Sequence, residues 1–311
     1  MNDAMMRTRL AQYLAMRRAL GYRLARPEKL LGQFLDHLQV TGTPVLTVEA
    51  AVSWARLPAD GDANWWAYRL SVVRGFATYL HTLDPSVQVP AADLLPWRPR
   101  RATPYLYAPE QIVDLMRAAQ SLSTPLRRAT ITTLIGLLAV TGVRVGEALA
   151  LDRDDFDATH RLLVVRHGKF DKKRQLILHD STVTAICEYL RVRDRLYPRP
   201  SSPALFISAA GTRLLYCNVH HTFYQLVTRA GLLPRSASCR PRIHDLRHSF
   251  AVATMLDAYT TGHDAHQQLV VLSTWLGHVD PAATYWYLSA SPELLAAAAA
   301  RLETDPSAAR P

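Results

Sequence analysis

Cysteine is scarce in this chain, which carries only Cys187, Cys217 and Cys239 in 311 residues. The count is odd and no Cys-x-x-Cys pair occurs, which argues against a disulfide scaffold or a zinc finger and favours free thiols in a reducing compartment. Apolar runs all stay below the roughly 20 residues that a membrane-spanning helix needs. The first residues lack the apolar core of a secretory signal. We therefore expect a soluble, cytoplasmic protein with no membrane partner.

Acidic residues are outnumbered, with 26 Asp and Glu against 36 Lys and Arg, so the formal net charge is +10. Such a balance favours a polyanionic partner, of which nucleic acid is the commonest. Charge alone does not separate DNA from RNA or an enzyme from a passive binder, and a merely basic soluble protein stays open. Hydrophobic residues make up 49% of the chain, enough for real cores. At about 100–200 residues per domain, the length predicts two domains.

Apolar spacing predicts a small helical domain over residues 1–84. Its helices are expected over 9–20, from Pro27 onward, over 48–57 after an N-cap at Thr47, and over 63–83 with Arg69 and Arg74 on the exposed face. Residues 85–104 are rich in proline and arginine, which is typical of a semi-rigid extended linker. A domain boundary is therefore expected near residue 102.

Residues 105–311 are predicted to form a second, mainly α domain that contains a small β-hairpin. Strand-like segments at 161–166 and 175–178 flank a basic hairpin tip. The expected helices cover 109–119, 125–140, 144–149, 181–197 with Ser181 as N-cap, and stretches near 217–230, 244–259, 266–276, 280–288 and 292–302. The whole chain is thus expected to be mainly α with a small sheet, an α+β fold.

Two short motifs carry candidate chemistry. His244 and Arg247 stand three residues apart at the start of an apolar, helix-like run, so they share a helix face that could present two donors to one phosphate oxyanion. Arg144 lies in the segment Thr-Gly-Val-Arg-Val-Gly-Glu at 141–147. Guanidinium groups stay charged and donate in a planar fork, which suits a phosphate whose oxygens gain charge in a transition state. We therefore expect Arg144 and Arg247 to clamp a phosphate.

The same helix carries a pair of histidines that could hold a metal ion. His244 and His248 are spaced i, i+4, as in zinc hydrolases, but those helices carry Glu after the first histidine. Asp245 stands there in this chain, and its shorter reach suits the role poorly. We expect neither a metal nor any other cofactor.

The ordered set of Arg, Lys, His, Arg, His and Tyr resembles the tyrosine recombinases, or phage-type integrases. The resemblance covers about residues 105–290, and it implies a catalytic domain with the DNA breaking-rejoining fold after a helical core-binding domain. Residues 277–289 look most like recombinases carried by transposons and plasmids. The catalytic residues implied are Arg144, Lys169, His244, Arg247, His278 and Tyr287.

Tyr287 is the implied nucleophile, because the family places its tyrosine nine residues beyond the Leu-Gly-His histidine and 287 − 278 = 9. Tyr285 is the competing candidate, although residues two apart on a helix point to different faces. A free tyrosine has a pKa near 10, so it needs positive charge and a proton acceptor nearby. The resemblance implies that His244 hydrogen-bonds the phosphate and helps to accept the proton of the tyrosine. It also implies that His278 contacts a non-bridging oxygen of the phosphate.

Lys169 is the implied general acid, which protonates the leaving 5′-oxygen from a hairpin. Phe170 replaces the family's second glycine in this hairpin, so Lys172 and Lys173 compete for the role. Glu147 often buttresses the fold in the family.

The implied reaction leaves a 3′-phosphotyrosine and a free 5′-hydroxyl on double-stranded DNA, and a hydroxyl of the partner duplex reverses it without ATP or metal. Four protomers, of this chain or with related recombinases, would join two sites to integrate, excise or transpose a mobile element. The alanine-rich tail from Leu294 could dock on a neighbour or cover its own domain. A catalytically idle DNA-binding relative and a type IB topoisomerase are the alternatives.

Overall fold

The computed structural model describes residues 3–22, 24–43, 45–98, 102–166, 173–277, 294–296 and 299–300. The chain divides into two compact units, Met1–Arg101 and Ala102–Pro311. Over the described ranges, every helix is too short or too polar to pass through a bilayer.

The first unit is helical. It contains α1 (Asp3–Ala19), α2 (Ala25–Val40), α3 (Val48–Arg56) and α4 (Ala63–His81). Two of the starts follow from local chemistry: the Thr47 hydroxyl accepts from the Ala50 N–H at 3.2 Å and the Asp62 carboxylate from the Trp65 N–H at 2.7 Å. The four helices bury one shared core, whose largest fully buried side chains include Phe34, Trp54 and Phe76.

Arg69 is buried, so the expectation that it lies on the exposed face of α4 is wrong; Arg74 is partly exposed. The Arg69 guanidinium lies 3.7 Å from the ring centroid of Trp54 and donates to the Trp54 carbonyl at 2.7 Å. A weakly hydrated guanidinium stacks well on an aromatic face, which offsets part of its desolvation. Burial nevertheless lowers the pKa of Arg69 from its ordinary value.

Part of the segment expected to be a linker packs on the first unit. Val87 and Leu95 are buried in its core. The side-chain oxygen of Gln88 accepts from the Val48 N–H at 2.9 Å, and its own N–H donates to the Leu46 carbonyl at 3.3 Å. Residues 85–98 therefore add apolar surface and backbone hydrogen bonds to this unit.

The second unit surrounds a central helix, α6, which contacts α5, α8 and α10. Leu134, Ile135, Leu137 and Leu138 are all buried, so α6 is covered on several sides. The elements of this unit are α5 (Pro109–Ala119), α6 (Pro125–Thr141), α7 (Val145–Ala150), β1 (Phe156–Asp157), β2 (Leu162–Val165), β3 (Arg174–Ile177), α8 (Asp180–Leu196), α9 (Tyr216–Arg229), α10 (Asp245–Thr260) and α11 (Ala265–Leu276).

The sheet is antiparallel with strand order β1-β2-β3. In the β2–β3 pair, Leu163 lies opposite Leu176 and Val165 opposite Arg174. The predicted hairpin is present, while its tip, 167–172, lies outside the described residues. The additional β1 was not expected. The mainly helical architecture with a small sheet confirms the predicted fold class.

The start of α8 differs from the prediction, because His179 rather than Ser181 is the N-cap. The Nδ1 atom of His179 accepts from the Ser181 N–H at 3.3 Å. A histidine ring nitrogen thus takes the place of the usual Ser or Asp oxygen.

Within the C-terminal tail, Leu294 is buried in a cluster with Met255 of α10 and Leu269 and Leu272 of α11. This part of the tail covers its own unit.

Candidate active site

Three segments that are far apart in the sequence meet where α6 and α11 end. Arg247, in the first turn of α10, donates through Nη1 to the Gly142 carbonyl at 2.7 Å and through Nη2 to the Leu276 carbonyl at 2.8 Å. Arg144, the N-cap of α7, donates through Nη2 to the Gly277 carbonyl at 3.4 Å. The two predicted phosphate-clamping arginines therefore converge on the end of α11, and Arg247 also bonds to the end of α6.

Gly142 and Gly277 make this convergence possible. Both have left-handed backbones, with φ of +63° and +68°, where other residues are strained. A Cβ at Gly142 would lie 2.5 Å from the Phe250 ring, and one at Gly277 would lie 2.8 Å from the Arg174 guanidinium. The Thr-Gly and Leu-Gly pairs of the sequence thus mark two sharp helix ends with no room for a side chain.

Arg247 is only 2% exposed. Carbonyl groups at helix C-termini carry partial negative charge, so a cation between two such ends is favourably placed. The sequence predicted that Arg247 belongs to the site but not that it would bridge α6 and α11. Its charge lies beneath the surface rather than on it.

Arg144 shares a buried carboxylate with Arg174. Its Nη1 donates to Oε1 of Glu147 at 2.7 Å, and its backbone N–H donates to Oε2 at 3.0 Å. Arg174 donates through Nη2 to Oε2 at 2.6 Å and through Nη1 to Oε1 at 3.2 Å. Burial works to raise the pKa of Glu147, but the hydrogen bonds and charges of Arg174 and Arg144 outweigh it, so the net shift is downward. Glu147 is therefore ionised at neutral pH.

Arg174 was not predicted as a site residue. The signal that identifies it is the strand period of two: Arg174 stands two positions before Leu176, whose side chain is fully buried. An arginine on the inward side of a strand needs a partner for its charge, and the buried carboxylate of Glu147 is that partner.

His244 precedes α10 and its side chain is exposed. Surrounding protein still desolvates the ring in part, and the charges of Arg247, Arg144 and Arg242 disfavour a further cation. Together these effects lower the pKa of His244 from 6.5 to about 4. The imidazole is therefore neutral at neutral pH and can accept a proton. The ring of His248 packs edge-on against it, with centroids 5.1 Å apart.

A buried carboxylate fixes the turn that carries His244. Asp245 is fully buried, and Arg242 donates to its two oxygens at 2.9 and 3.0 Å. Burial raises the pKa of Asp245 despite this partner. Ser249 donates to the Asp245 carbonyl at 2.9 Å and accepts from the Tyr107 N–H at 2.8 Å. These bonds hold the start of α10 against the segment that precedes α5.

Lys169, His278 and Tyr287 lie outside the described residues, as do the competitors Lys172 and Tyr285. Lys173, the remaining competitor for the general acid, is described and exposed. By sequence, His278 directly follows Gly277, whose carbonyl accepts from Arg144. In the described part of the chain, no group of three or more His, Cys, Asp or Glu side chains is arranged to hold a metal ion.

Comparison with known proteins identifies relatives along nearly the whole chain. Residues 106–293 match the model of the phage integrase family. The chain is 42% identical over 303 residues to y4rB, a candidate integrase/recombinase of Sinorhizobium fredii, covering 96% of each protein. It is 31% identical over 218 residues to the tyrosine recombinase XerC of Alcanivorax borkumensis, covering 70% of this chain and 66% of XerC.

Among solved structures, the fold is similar to that of the Tn1549 transposon integrase in complex with transposon right end DNA. The TM-score is 0.64 at 15% identity, and the match covers 98% of this chain and 99% of that one. At this identity the likeness concerns the fold.

Proposed function

This chain belongs to the phage integrase family of tyrosine recombinases, and on that basis we propose that it cuts and rejoins DNA through a 3′-phosphotyrosine intermediate. The observation that carries the proposal is the convergence of Arg144 and Arg247 on the end of α11, with His244 near enough for both charges to lower its pKa. Tyr287 follows Gly277 by ten residues, since 287 − 277 = 10. A nucleophile so close in sequence has a short path to this group.

The two arginines stabilise the charge that develops on the phosphate. Electrostatic groups held in place before the reaction are often the largest catalytic contribution. Arg144 is 27% exposed and can reach a non-bridging oxygen, whereas Arg247 acts from beneath the surface. His244 accepts the proton of Tyr287, because its low pKa keeps it neutral before DNA binds and a bound phosphate raises that pKa.

The bonds balance without an external energy source. The Tyr287 oxygen bonds to phosphorus, the bond from phosphorus to the 5′-oxygen breaks, and Lys169 protonates that oxygen. One phosphoester replaces another, so a 5′-hydroxyl of the partner duplex can reverse the step. His278 contributes a hydrogen bond to a non-bridging oxygen.

We further propose that the substrate is double-stranded DNA at the border of a mobile element, joined by four protomers in the cytoplasm. The net charge of +10 suits the DNA. The likeness to y4rB, a candidate integrase/recombinase, supports the mobile element. We also propose that residues 1–84 supply a second DNA-binding domain.

The test is covalent capture on nicked suicide substrates, in which the released strand end diffuses away. The DNA is taken from both flanks of the gene, where inverted repeats would mark an element border. Wild type and Tyr285→Phe are expected to form an adduct through the 3′-phosphate of the cleaved strand, while the short fragment with the free 5′-hydroxyl is released. Tyr287→Phe is expected to bind the DNA and form none.

The alternatives give different results. If Tyr287→Phe forms an adduct and Tyr285→Phe does not, the nucleophile is Tyr285 and the assignment to Tyr287 is wrong. DNA binding without adduct in the wild type would indicate an idle relative. Relaxation of plasmids that lack the flanking DNA would indicate a type IB topoisomerase.

A further inference from the structure

We propose that Arg174 is a positioning residue for DNA cleavage, which acts on the reaction by holding Glu147 and, through Glu147, the guanidinium of Arg144. The inference rests on the proposed function and deepens it. Arg174 is the first residue of β3, and its partner Glu147 stands 27 positions earlier in α7. The contact thus ties the sheet to the turn that carries Arg144.

The carboxylate of Glu147 is shared atom by atom. Its Oε1 accepts from Nη1 of Arg144 and from Nη1 of Arg174, at 2.7 and 3.2 Å. Its Oε2 accepts from the Arg144 backbone N–H and from Nη2 of Arg174, at 3.0 and 2.6 Å. Because Arg174 donates to both oxygens, it fixes the rotation of the carboxylate. That rotation in turn determines where Oε1 holds Arg144.

The three side chains become more exposed from Glu147 to Arg174 to Arg144, as expected if a buried pair positions an accessible arginine. Glu147 is 5% exposed and Arg174 is 11% exposed, whereas Arg144 is 27% exposed. The inner pair is shielded from water, so its attraction is weakly screened and its geometry is well defined. Arg144 stands at the outer end, where DNA can meet it.

Charge balance gives Arg174 a second effect. Glu147 alone would neutralise Arg144, since one carboxylate faces one guanidinium. With Arg174 present, the three groups carry one net positive charge. Arg144 therefore remains attractive to a phosphate while it is held in place.

The guanidinium of Arg174 occupies the space where a side chain at position 277 would begin, so it fits only beside Gly277. A Cβ at Gly277 would lie 2.8 Å from Nη1 and 3.2 Å from Cζ of Arg174. The same Gly277 has its carbonyl 3.4 Å from Nη2 of Arg144. Among the described residues, Nε of Arg174 is buried without a hydrogen-bond partner. The guanidinium is thus oriented toward Glu147 at the expense of satisfying its own Nε.

The first experiment compares Arg174→Gln and Arg174→Lys with the wild type in the full chain. Single-turnover cleavage is measured at saturating suicide substrate, and DNA affinity is measured separately. Arg174→Gln is expected to slow cleavage about 10- to 100-fold, as loss of an outer-shell partner does at metal sites, with DNA affinity unchanged within about threefold. Arg174→Lys should recover only part of the rate, because an ammonium cannot donate as a planar fork. Equal rates for wild type and Arg174→Gln would overturn the proposal.

A double-mutant cycle tests the route through Glu147. If Arg174 acts through that carboxylate, Glu147→Gln combined with Arg174→Gln should be no slower than the slower single variant. Multiplicative losses would overturn the proposal.

Arg193→Gln is the matched control for Arg174→Gln, because it also removes a buried guanidinium. The guanidinium of Arg193 donates to the Ala204 carbonyl at 3.0 Å. Arg193→Gln is expected to lower stability without slowing cleavage by the folded protein. If it slows cleavage as much as Arg174→Gln does, the Arg174 effect is a general folding defect, and the proposal is overturned.

A substrate with sulfur in place of the bridging 5′-oxygen separates Arg174 from the general acid. A thiolate leaves without a proton, so a defect in proton delivery is rescued by sulfur and a defect in Arg144 is not. The loss in Arg174→Gln is expected to persist on the sulfur substrate. Full rescue would show that Arg174 acts through the lysine hairpin instead. Failure of the wild type to form any adduct overturns the proposed function itself, whereas a normal Arg174→Gln rate overturns this inference alone.

Discussion

His244 combines an accessible ring with surroundings that oppose its charge. Desolvation by the surrounding protein and the charges of Arg247, Arg144 and Arg242 lower its pKa to about 4. The imidazole of His244 is therefore neutral at neutral pH and does not add a further positive charge to the arginines around it. The residue type and motif predict the role, whereas the desolvation of the ring and the neighbouring charges determine its protonation state.

The same shift makes stability depend on pH. Because the folded pKa lies below the unfolded value of 6.5, the unfolded chain takes up the His244 proton first as the pH falls. The contribution to stability is thus complete above about pH 6.5 and is lost as the pH falls toward about 4. Urea unfolding over this window should show a steeper loss for the wild type than for His244→Gln. Parallel curves would contradict the shift.

At the scale of elements, the ends of the helices rather than their interiors contribute to the candidate site. α6 is apolar on most sides, yet its contribution to the site is the carbonyl of Gly142, to which Arg247 donates. Trp275 of α11 also donates to the adjacent Thr141 carbonyl at 2.8 Å. Two helices are therefore joined through the carbonyl groups that a helix leaves unpaired at its C-terminus.

Gly142→Ala is expected to destabilise the protein by about 2–4 kcal/mol, from left-handed backbone strain and the overlap with Phe250. Gly231→Ala is the matched control, because its φ is +67° and nothing lies within 4 Å of its Cβ position. It should cost about 1 kcal/mol from strain alone. Chemical denaturation measures both. Equal losses would show that the contact with Phe250 is unimportant.

How far the sequence predicts these elements depends on whether the cause is local. The starts at Thr47 and Pro109 were predicted, because a side-chain cap and an N-terminal proline act within one turn. The two-residue β1 was not, because so short a strand has no periodicity. Arg69 was misplaced, because the Trp54 ring that covers it comes from another helix.

The candidate site shows the same division. His244 and Arg247 could be named from one short motif, since both stand in one helical turn. The link from Arg174 to Glu147 could not, because a strand and a helix 27 residues apart must first fold together. Local patterns thus predicted which residues to examine, whereas the shared carboxylate required the tertiary structure.

At the scale of the whole molecule, each unit has its own apolar core. The sequence placed the end of the first domain at residue 84 because prolines become frequent there. Val87 and Leu95, however, are 0% and 4% exposed in the core of the first unit. We therefore propose that this domain extends through the described residues up to 98, and that residues 85–98 are part of its folded structure.

Two fragments test this boundary. Residues 1–101 are expected to unfold cooperatively. Residues 1–84 lack Val87 and Leu95, and the loss of these two buried side chains should lower the free energy of unfolding by about 3–6 kcal/mol. A fragment of this size has little stability to spare, so 1–84 should be largely unfolded by circular dichroism and urea titration. Val87→Ala in the longer fragment separates lost packing from a changed chain end: it should cost about 1–3 kcal/mol. If 1–84 and 1–101 are equally stable, residues 85–98 are only a spacer, and the boundary belongs at 84 after all.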